Sequence, residues 1–187
     1  TFQEKHMADL AALAGTWAFD PSHSRLGFEA RHAVITKVRG HFAEFEGTIV
    51  VDADNVSASS AKVSAQLASI DTGNADRDGH LKSADFFDVE NNKELSFVST
   101  SIKQSGSDFV VTGDLTIAGI TKSIELALEL TGTATDPFGN ARAGFEGTGE
   151  LSRKDFGLVW NVALETGGFL VSDNIKLQLD ISAIKQA

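Results

Sequence analysis

The amino-acid sequence predicts an all-β protein: an eight-stranded antiparallel barrel with a short N-terminal helix and a short helix in the loop after the third strand. Two observations carry this prediction. Apolar residues recur at every second position through most of the chain, and turn-forming residues separate the alternating runs. The size agrees, since 187 residues with 42% hydrophobic and 22% charged side chains are typical of one globular domain.

The N-terminal helix is predicted over residues 4–14, where Met7, Leu10, Leu13 and Ala14 have helical spacing. Gly15 follows as a typical helix stop. The predicted organisation is therefore a helical segment over residues 1–15 and one barrel domain over residues 16–187.

The chain starts with Thr1 rather than Met, so Met7 is a candidate native start and residues 1–6 are a candidate vector remnant. On that interpretation the protein is expected in the cytoplasm. Removal of a natural signal peptide would instead place it in the periplasm or outside the cell.

Eight alternating runs share one property, an apolar side and a polar side. Their apolar sides consist of Leu26, Phe28, Ala30; Val38, Gly40, Phe42, Phe45, Gly47, Ile49, Val51; Ala61, Val63, Ala65, Leu67; Leu95, Phe97, Ser99; Phe109, Val111, Gly113, Leu115, Ile117; Ile124, Leu126, Leu128, Leu130; Ala143, Phe145, Gly147, Gly149, Leu151; and Ile175, Leu177, Leu179, Ile181. In the second run the apolar parity changes after Phe42, which predicts a β-bulge near Ala43 and Glu44.

Turn residues at 105–106, 118–119 and 136–139 link the later runs as hairpins, which predicts an up-and-down barrel. Residues 71–92 break the alternation. They predict a loop with a short helix, begun by Asn74 or Asp76 as the N-cap.

The interior of an eight-stranded barrel is either filled by side chains or just wide enough for a small ligand. Several inward positions are glycines, which favours a free volume that an apolar ligand occupies. The alternative is that these glycines lie at bends and that phenylalanine side chains fill the space.

The formal charge of −10, without a cluster of Lys or Arg, argues against nucleic acid as a partner and against binding to anionic membrane surfaces. No apolar run reaches the roughly 18 residues of a membrane-spanning helix. Cysteine is absent, which excludes disulfides, thiolate metal sites and cysteine nucleophiles.

Asn74, Asp76, Asp78 and Asp85 match positions one, three, five and twelve of a calcium-binding loop. The match is faulty, because position one is Asn and position twelve is the shorter Asp rather than Glu. The interpretation we prefer is a capped turn whose charged groups satisfy one another.

Histidines at 23, 32, 41 and 80 lack the spacing of a zinc site. The nucleophile elbow of serine hydrolases is missing, as is a phosphate-binding glycine loop. We therefore predict no metal, no catalytic residue and no enzyme.

Longer motifs are more specific than periodicity. Residues 17–24 read Trp-Ala-Phe-Asp-Pro-Ser-His-Ser, 69–74 read Ser-Ile-Asp-Thr-Gly-Asn, 85–89 read Asp-Phe-Phe-Asp-Val, 113–117 read Gly-Asp-Leu-Thr-Ile and 155–157 read Asp-Phe-Gly. Together with Arg31-His32, Arg39-Gly40, Arg77-Asp78 and Trp160, they resemble the YceI-like family of polyisoprenoid-binding, lipocalin-like proteins over residues 17 to about 181. The sequence departs from the family at 91–94, where Asn-Asn-Lys-Glu replaces a segment that usually holds a proline.

The resemblance implies a lipocalin-like barrel, often dimeric, that holds a long isoprenoid tail in an apolar tunnel. The expected function is to carry or sequester a quinone or polyprenyl compound, with a non-covalently bound lipid, no other cofactor, and no membrane span. The candidate tunnel residues are Phe28, Phe42, Phe45, Ile49, Phe97, Leu115, Ile117, Leu126, Leu128 and Phe145, with Phe86, Phe87 and Trp160 nearer the mouth. The candidates for holding a polar head group are Arg31, His32, Arg77 and His80.

Two alternatives stay open at this point. One is a barrel enzyme for an apolar substrate, which would need His32 or His80 hydrogen-bonded to Asp71 or Asp78 inside the cavity. The other is a ligand-free interaction module with a densely packed interior.

Overall fold

The computed structural model describes residues 11–33, 35–106, 108–161 and 171–187. In these residues eleven strands form one antiparallel sheet. The strands are β1 (Gly15–Phe19), β2 (Arg25–His32), β3 (Thr36–Phe42), β4 (Phe45–Val51), β5 (Ser60–Gln66), β6 (Ile70–Asp71), β7 (Glu94–Ser105), β8 (Asp108–Ile117), β9 (Ile120–Thr135), β10 (Ala141–Ser152) and β11 (Asn174–Lys185), and the helix α1 is Ala75–Lys82.

The sheet closes on itself through β1, which pairs with β4 on one side and with β11 on the other. The closed ring is β1-β4-β5-β7-β8-β9-β10-β11. The predicted eight-stranded antiparallel barrel is thus confirmed. Closure removes the unpaired edges that an open sheet would expose.

Three strand positions of the ring are interrupted. The β11 strand pairs with β1 at 183–185 and with β2 at 176–180, so β2 continues β1 beyond a 3₁₀ turn at Pro21–His23. In the same way, β3 and β4 occupy one strand position of the ring, with a bend at Ala43 and Glu44 between them. The strands β5 and β6 occupy the next strand position, with a 3₁₀ turn at Leu67–Ser69 between them. These breaks let the strands bend around the barrel.

The two ends of the barrel differ. At the closed end, where β1 begins and β11 ends, Leu13 and Trp17 are almost fully buried, and the Trp17 indole Nε1 donates a hydrogen bond to the Leu13 carbonyl at 2.7 Å. At the opposite end, which we call the mouth, β2 ends at His32 and β10 ends at Ser152. The helix α1 follows β6 toward the mouth.

All eight predicted runs are strands. The strand β1 was not predicted, because the two alternating apolar residues Trp17 and Phe19, between Gly15 and Asp20-Pro21, are too few to show a period. The predicted parity change near Ala43 is a full strand break rather than a single bulged residue. Ala11 and Ala12 are helical, but Leu13 and Ala14 are not, and Gly15, with a φ of 121°, is already the first residue of β1, so the predicted helix end is two residues too late. Residues 4–10 of the predicted helix lie outside the described residues.

The expected helix after the third run is α1, and its N-cap is Asn74, whose side chain accepts a hydrogen bond from the Arg77 backbone N–H at 3.0 Å. Of the two predicted candidates, Asn74 rather than Asp76 is therefore the cap.

The interior glycines do not leave space by themselves, and here the prediction needs correction. A Cβ at Gly40 or Gly113 would collide with the ring of Phe28 or Phe97, and one at Gly47 would collide with Phe19. The glycines therefore make room for large side chains of adjacent strands, a packing known to support glycine in sheets. The free volume of this barrel therefore does not lie at these glycines.

Candidate functional site

The barrel encloses a cavity of about 590 Å³ with an almost entirely apolar wall. This volume falls within the roughly 300–1,000 Å³ typical of ligand sites. Inward-facing side chains such as Leu177, Leu179 and Val63 border it and are only partly buried. The reason is that their ends face the cavity rather than other side chains. The interior is therefore not the densely packed one that a ligand-free module would have.

Most of the predicted tunnel residues border this cavity. They are Phe28, Phe42, Ile49, Phe86, Phe87, Phe97, Leu115, Ile117, Leu126, Leu128 and Trp160. Phe45 packs against the core without reaching the cavity, and Phe145 borders a separate space of about 40 Å³ next to Leu13. Phe145 lies toward the closed end, where it pairs with Ile181 and Leu130.

Several wall residues were not among the predicted tunnel residues. Leu177 and Leu179 of β11 have the correct alternation, but alternation alone does not tell which inward residues reach free space. Val63 of β5 was missed in the same way.

Helix α1 brings two head-group candidates, Arg77 and His80, to the mouth. The Arg77 guanidinium donates through Nε to the Thr72 hydroxyl and through Nη2 to the Thr72 carbonyl, both at 2.6 Å. The Asp78 carboxylate accepts from the Thr72 backbone N–H at 3.0 Å. These contacts fix the start of α1 against the end of β6.

His80 lies in a cluster of rings at the mouth. Its ring centroid is 4.4 Å from that of Trp160 and 5.2 Å from that of Phe86, and the latter two rings are 5.5 Å apart. His80 Nε2 is also 2.9 Å from an Asp85 carboxylate oxygen. The cluster joins α1 to the segment after β10 and gives the mouth an aromatic rim that also carries hydrogen-bonding groups.

Arg31 and His32, the other two head-group candidates, end β2. Both side chains border the cavity and both residues are exposed. The Arg31 backbone exchanges hydrogen bonds with Ser172: its N–H donates to the hydroxyl at 2.9 Å, and its carbonyl accepts from the Ser172 N–H at 3.0 Å. The β2–β3 hairpin is thereby attached to the chain that enters β11.

Arg153 is a site residue to which the sequence analysis gave no role. It borders the cavity and is only 3% exposed. Its guanidinium donates to the carbonyls of Ser172 at 2.9 Å, Leu158 at 2.5 Å, Trp160 at 2.9 Å and Val171 at 3.3 Å. Burial lowers the pKa of Arg153, and the charge of Asp173 opposes that shift.

No carboxylate forms an ion pair with Arg153 among the described residues. Four backbone carbonyls solvate this buried cation instead, which is the compensation that a buried charge requires. The signals in the sequence were the position of Arg153 at the end of a barrel strand and its place beside the family motif Asp-Phe-Gly at 155–157, and neither reveals burial.

The geometry does not supply the pairs that the enzyme hypothesis required. His80 contacts Asp85, whereas Asp78 accepts from Thr72 and Asp71 accepts from the Gly73 N–H at 2.8 Å. Within the described ranges no group of three His, Cys, Asp or Glu side chains is placed to hold a metal ion. In the same part of the chain no helix is long and apolar enough to cross a bilayer.

Comparison with known families agrees with this architecture. The family model described as the YceI-like domain matches residues 17–183. The chain belongs to the YceI-like family. It is 34% identical over 188 residues to the protein YceI of Escherichia coli, covering 100% of this chain and 95% of that one. It is 40% identical over 148 residues to a UPF0312 protein of Photorhabdus laumondii, covering 78% and 77%.

Solved structures of YceI proteins share the fold. The Campylobacter jejuni YceI protein superposes with a TM-score of 0.72 at 29% identity, covering 84% of this chain and 90% of that one. A polyisoprenoid-binding domain of Saccharophagus degradans gives a TM-score of 0.68, covering 91% and 98%, and at 14% identity it is similar in fold alone.

Proposed function

We propose that this protein binds a long isoprenoid lipid inside the barrel and carries or sequesters it. The observation that supports this most directly is the cavity of about 590 Å³, which has an apolar wall and polar groups at one end only. Apolar ligands with one polar end have the complementary distribution. The ligand named for the similar Saccharophagus domain, a polyisoprenoid, belongs to this chemical class.

Binding would derive from the removal of the tail from water. Each buried methylene contributes about 0.8 kcal/mol, and the ordering of a flexible tail offsets part of this gain. The wall has many branched and aromatic side chains and offers a tail no hydrogen-bonding partner along most of its length. Selectivity for the tail would therefore come from its length and shape.

The polar end of the lipid would lie at the mouth. Arg31, His32, Arg77 and His80 border the cavity there, and their charged or hydrogen-bonding groups suit the carbonyl of a quinone or the phosphate of a polyprenyl compound. Arg77 already donates to Thr72, so Arg31 and His32 are the more accessible of the four.

The first experiment is mass spectrometry of an organic extract of the purified protein, together with its intact mass under native conditions. We expect one isoprenoid per chain in the extract. The intact mass also tests the dimer that the family resemblance predicts.

A pair of tryptophan variants tests the cavity itself. Val63→Trp places a large ring in the cavity, whereas Val98→Trp places one on the outer face of β7, where Val98 is 45% exposed. Val63 pairs with Phe97, the neighbour of Val98, so the two sites lie at the same height of the barrel. We expect Val63→Trp to lose most of the bound lipid and Val98→Trp to keep it.

Two results would contradict the proposal. One is an empty extract from a protein that also fails to take up quinones and polyprenyl phosphates on reconstitution. The other is equal lipid content in the two variants, which would place the ligand outside the cavity.

A further inference from the structure

The mouth carries two strongly exposed apolar side chains. Ile35, in the turn between β2 and β3, is 81% exposed, and Val159, in the segment after β10, is 61% exposed. A comparable residue lies at the other end of the molecule, since Phe138 in the β9–β10 turn is 89% exposed. Single exposed apolar residues are ordinary, so exposure alone does not make a surface functional.

The charges around Ile35 give the second observation. Arg31 and Lys37 flank this turn and stand directly opposite each other in the β2–β3 ladder. Like charges placed opposite each other destabilise a sheet. Residues 31–37 contain no acidic side chain, and neither cation forms an ion pair within the described part of the chain. Fold stability therefore does not explain this pair, and both cations are available to an external anionic partner.

The third observation is that Ile35 and Val159 belong to one connected rim. The β2–β3 hairpin is hydrogen-bonded to Ser172, and the Arg153 guanidinium joins the Ser172 carbonyl to those of Leu158 and Trp160, on both sides of Val159. The same rim surrounds the opening of the cavity, since Arg31, Arg153 and Trp160 all border it. The exposed apolar groups and the free cations are thus positioned around the entrance.

We propose that the mouth docks on the surface of an anionic phospholipid bilayer. Ile35 and Val159 enter the interface between head groups and acyl chains, and Arg31 and Lys37 contact lipid phosphates. This inference rests in part on the proposed function, because an isoprenoid tail is insoluble in water and needs a direct passage between bilayer and barrel. With the mouth on the bilayer, the tail crosses no water.

The net charge of −10 led to the opposite expectation, that anionic surfaces repel the protein. Charge acts locally at physiological ionic strength, because screening limits its range to about 8 Å. Arg31 and Lys37 meet the membrane first in the proposed orientation. Two carboxylates also lie at the mouth, on the α1 side: Asp76 borders the cavity and Asp85 contacts His80. Asp108 and Asp136 lie at the closed end, at the far side of the barrel. The protein therefore docks with its mouth toward the membrane. The docking is weak, so that the protein can leave the membrane after the lipid has passed between bilayer and barrel.

The test is flotation of the purified protein with vesicles of phosphatidylcholine mixed with phosphatidylglycerol, and with vesicles of phosphatidylcholine alone. Neither kind contains an isoprenoid, so the assay measures docking independently of cargo. We expect the wild-type protein to float with the mixed vesicles and less with phosphatidylcholine alone.

Matched variants separate the apolar and the electrostatic parts. Ile35→Ser is expected to lower the partition coefficient roughly three- to tenfold, while Phe138→Ser, at the opposite end, leaves it unchanged. Lys37→Glu is expected to abolish the preference for phosphatidylglycerol, while Lys103→Glu, on β7 near the closed end, preserves it. Lipid supplied in detergent and measured by extraction shows whether Ile35→Ser still loads its cavity.

Several results would overturn the docking proposal: no flotation of the wild type, equal losses in Ile35→Ser and Phe138→Ser, or a change from dimer to monomer in Ile35→Ser without vesicle binding. The last result would assign the rim to a second copy of this chain. Loss of flotation with normal loading contradicts docking alone, whereas flotation of a protein that never takes up lipid contradicts the proposed function alone.

Discussion

Arg153 connects the two stretches of chain that border the mouth on the β10–β11 side. Its guanidinium contacts carbonyls at Leu158 and Trp160 on one stretch and at Val171 and Ser172 on the other. Asn161 joins the same two stretches through two hydrogen bonds with the Val171 backbone, so Arg153, with its four carbonyl contacts, is the larger of these two connections. The position of Trp160 against His80 depends on the same contacts.

Arg153→Lys tests this role. A lysine ammonium has three donors and lacks the planar fork, so it cannot reach all four carbonyls. We expect the free energy of unfolding in urea to fall by about 2 kcal/mol, since buried acceptors lose their partners.

The exposed neighbour Lys154 provides the control, and Lys154→Gln is expected to leave the unfolding free energy within about 0.5 kcal/mol of the wild type. The fluorescence of Trp160, measured in a Trp17→Phe background, is expected to shift to the red in Arg153→Lys alone. An unchanged spectrum would show that Arg153 does not position the rim.

At the scale of elements, an ionic cluster attaches the β9–β10 turn to the end of β1. Arg142 on β10 donates through Nε to Asp136 and through Nη1 to Asp20, both at 2.8 Å. The hydrogen bond from Arg142 is the main cause that lowers the pKa of Asp136 to about 2. The pKa of Asp20 is lowered as well, by its hydrogen bonds from the Ser22 hydroxyl and then from Arg142.

These shifts predict an acid-sensitive contribution to stability. A carboxyl whose pKa is lower in the folded state stabilises the fold above its ordinary value of 3.8 and loses that effect as the pH falls toward 2. We expect the wild type to lose more unfolding free energy than Asp136→Asn between about pH 4 and pH 2, as measured by urea denaturation at each pH.

Arg142→Gln removes the common partner and should flatten the same pH dependence. Between about pH 4 and pH 2, the double variant Asp136→Asn, Arg142→Gln should lose no more unfolding free energy than Arg142→Gln alone. Parallel pH profiles for the wild type and Asp136→Asn would show that the cluster does not contribute to stability.

The elements also explain how one end of the barrel closes while the other stays open. The break at Ala43 and Glu44 and the 3₁₀ turns at Pro21–His23 and Leu67–Ser69 occur in three adjacent strand positions. Beyond these breaks β2, β3 and β6 continue the sheet, but within the described residues no pairing joins β6 to β7. Helix α1 and the residues that follow it lead to the mouth at this point.

At the scale of the whole molecule, an apolar cavity makes stability depend on its contents. A ligand that binds only the folded state raises the unfolding free energy by about 3 kcal/mol at a free concentration roughly a hundredfold above Kd. We therefore expect extraction of bound lipid with detergent to lower Tm, and addition of the lipid identified by mass spectrometry to restore it.

The Val63→Trp variant serves as the reference for this measurement, because its ring occupies part of the cavity. Its Tm should not respond to lipid, while that of Val98→Trp should respond as the wild type does. A wild-type Tm that is insensitive to lipid would contradict binding inside the barrel.

Much of the fold followed from the sequence because the controlling signals are local. Alternation assigned the inward side of each strand, turn residues gave the hairpin positions, and Asn74 was correctly among the candidate caps of α1. The short strand β1 could not be found this way, since its role depends on simultaneous pairing with β4 and β11, which are distant in sequence.

The site was less accessible to sequence reasoning. The sequence by itself determined a barrel with an apolar interior, the family to which it belongs, and a set of inward side chains that includes most of the cavity wall. Only the tertiary structure decided that rings such as Phe97 cover Gly113 while free volume lies elsewhere, that Arg153 is buried, and that His80 meets Asp85 and Trp160. The physical reason is that alternation depends on neighbouring residues, whereas empty space and the solvation of a buried charge depend on side chains from strands and loops far apart in the chain.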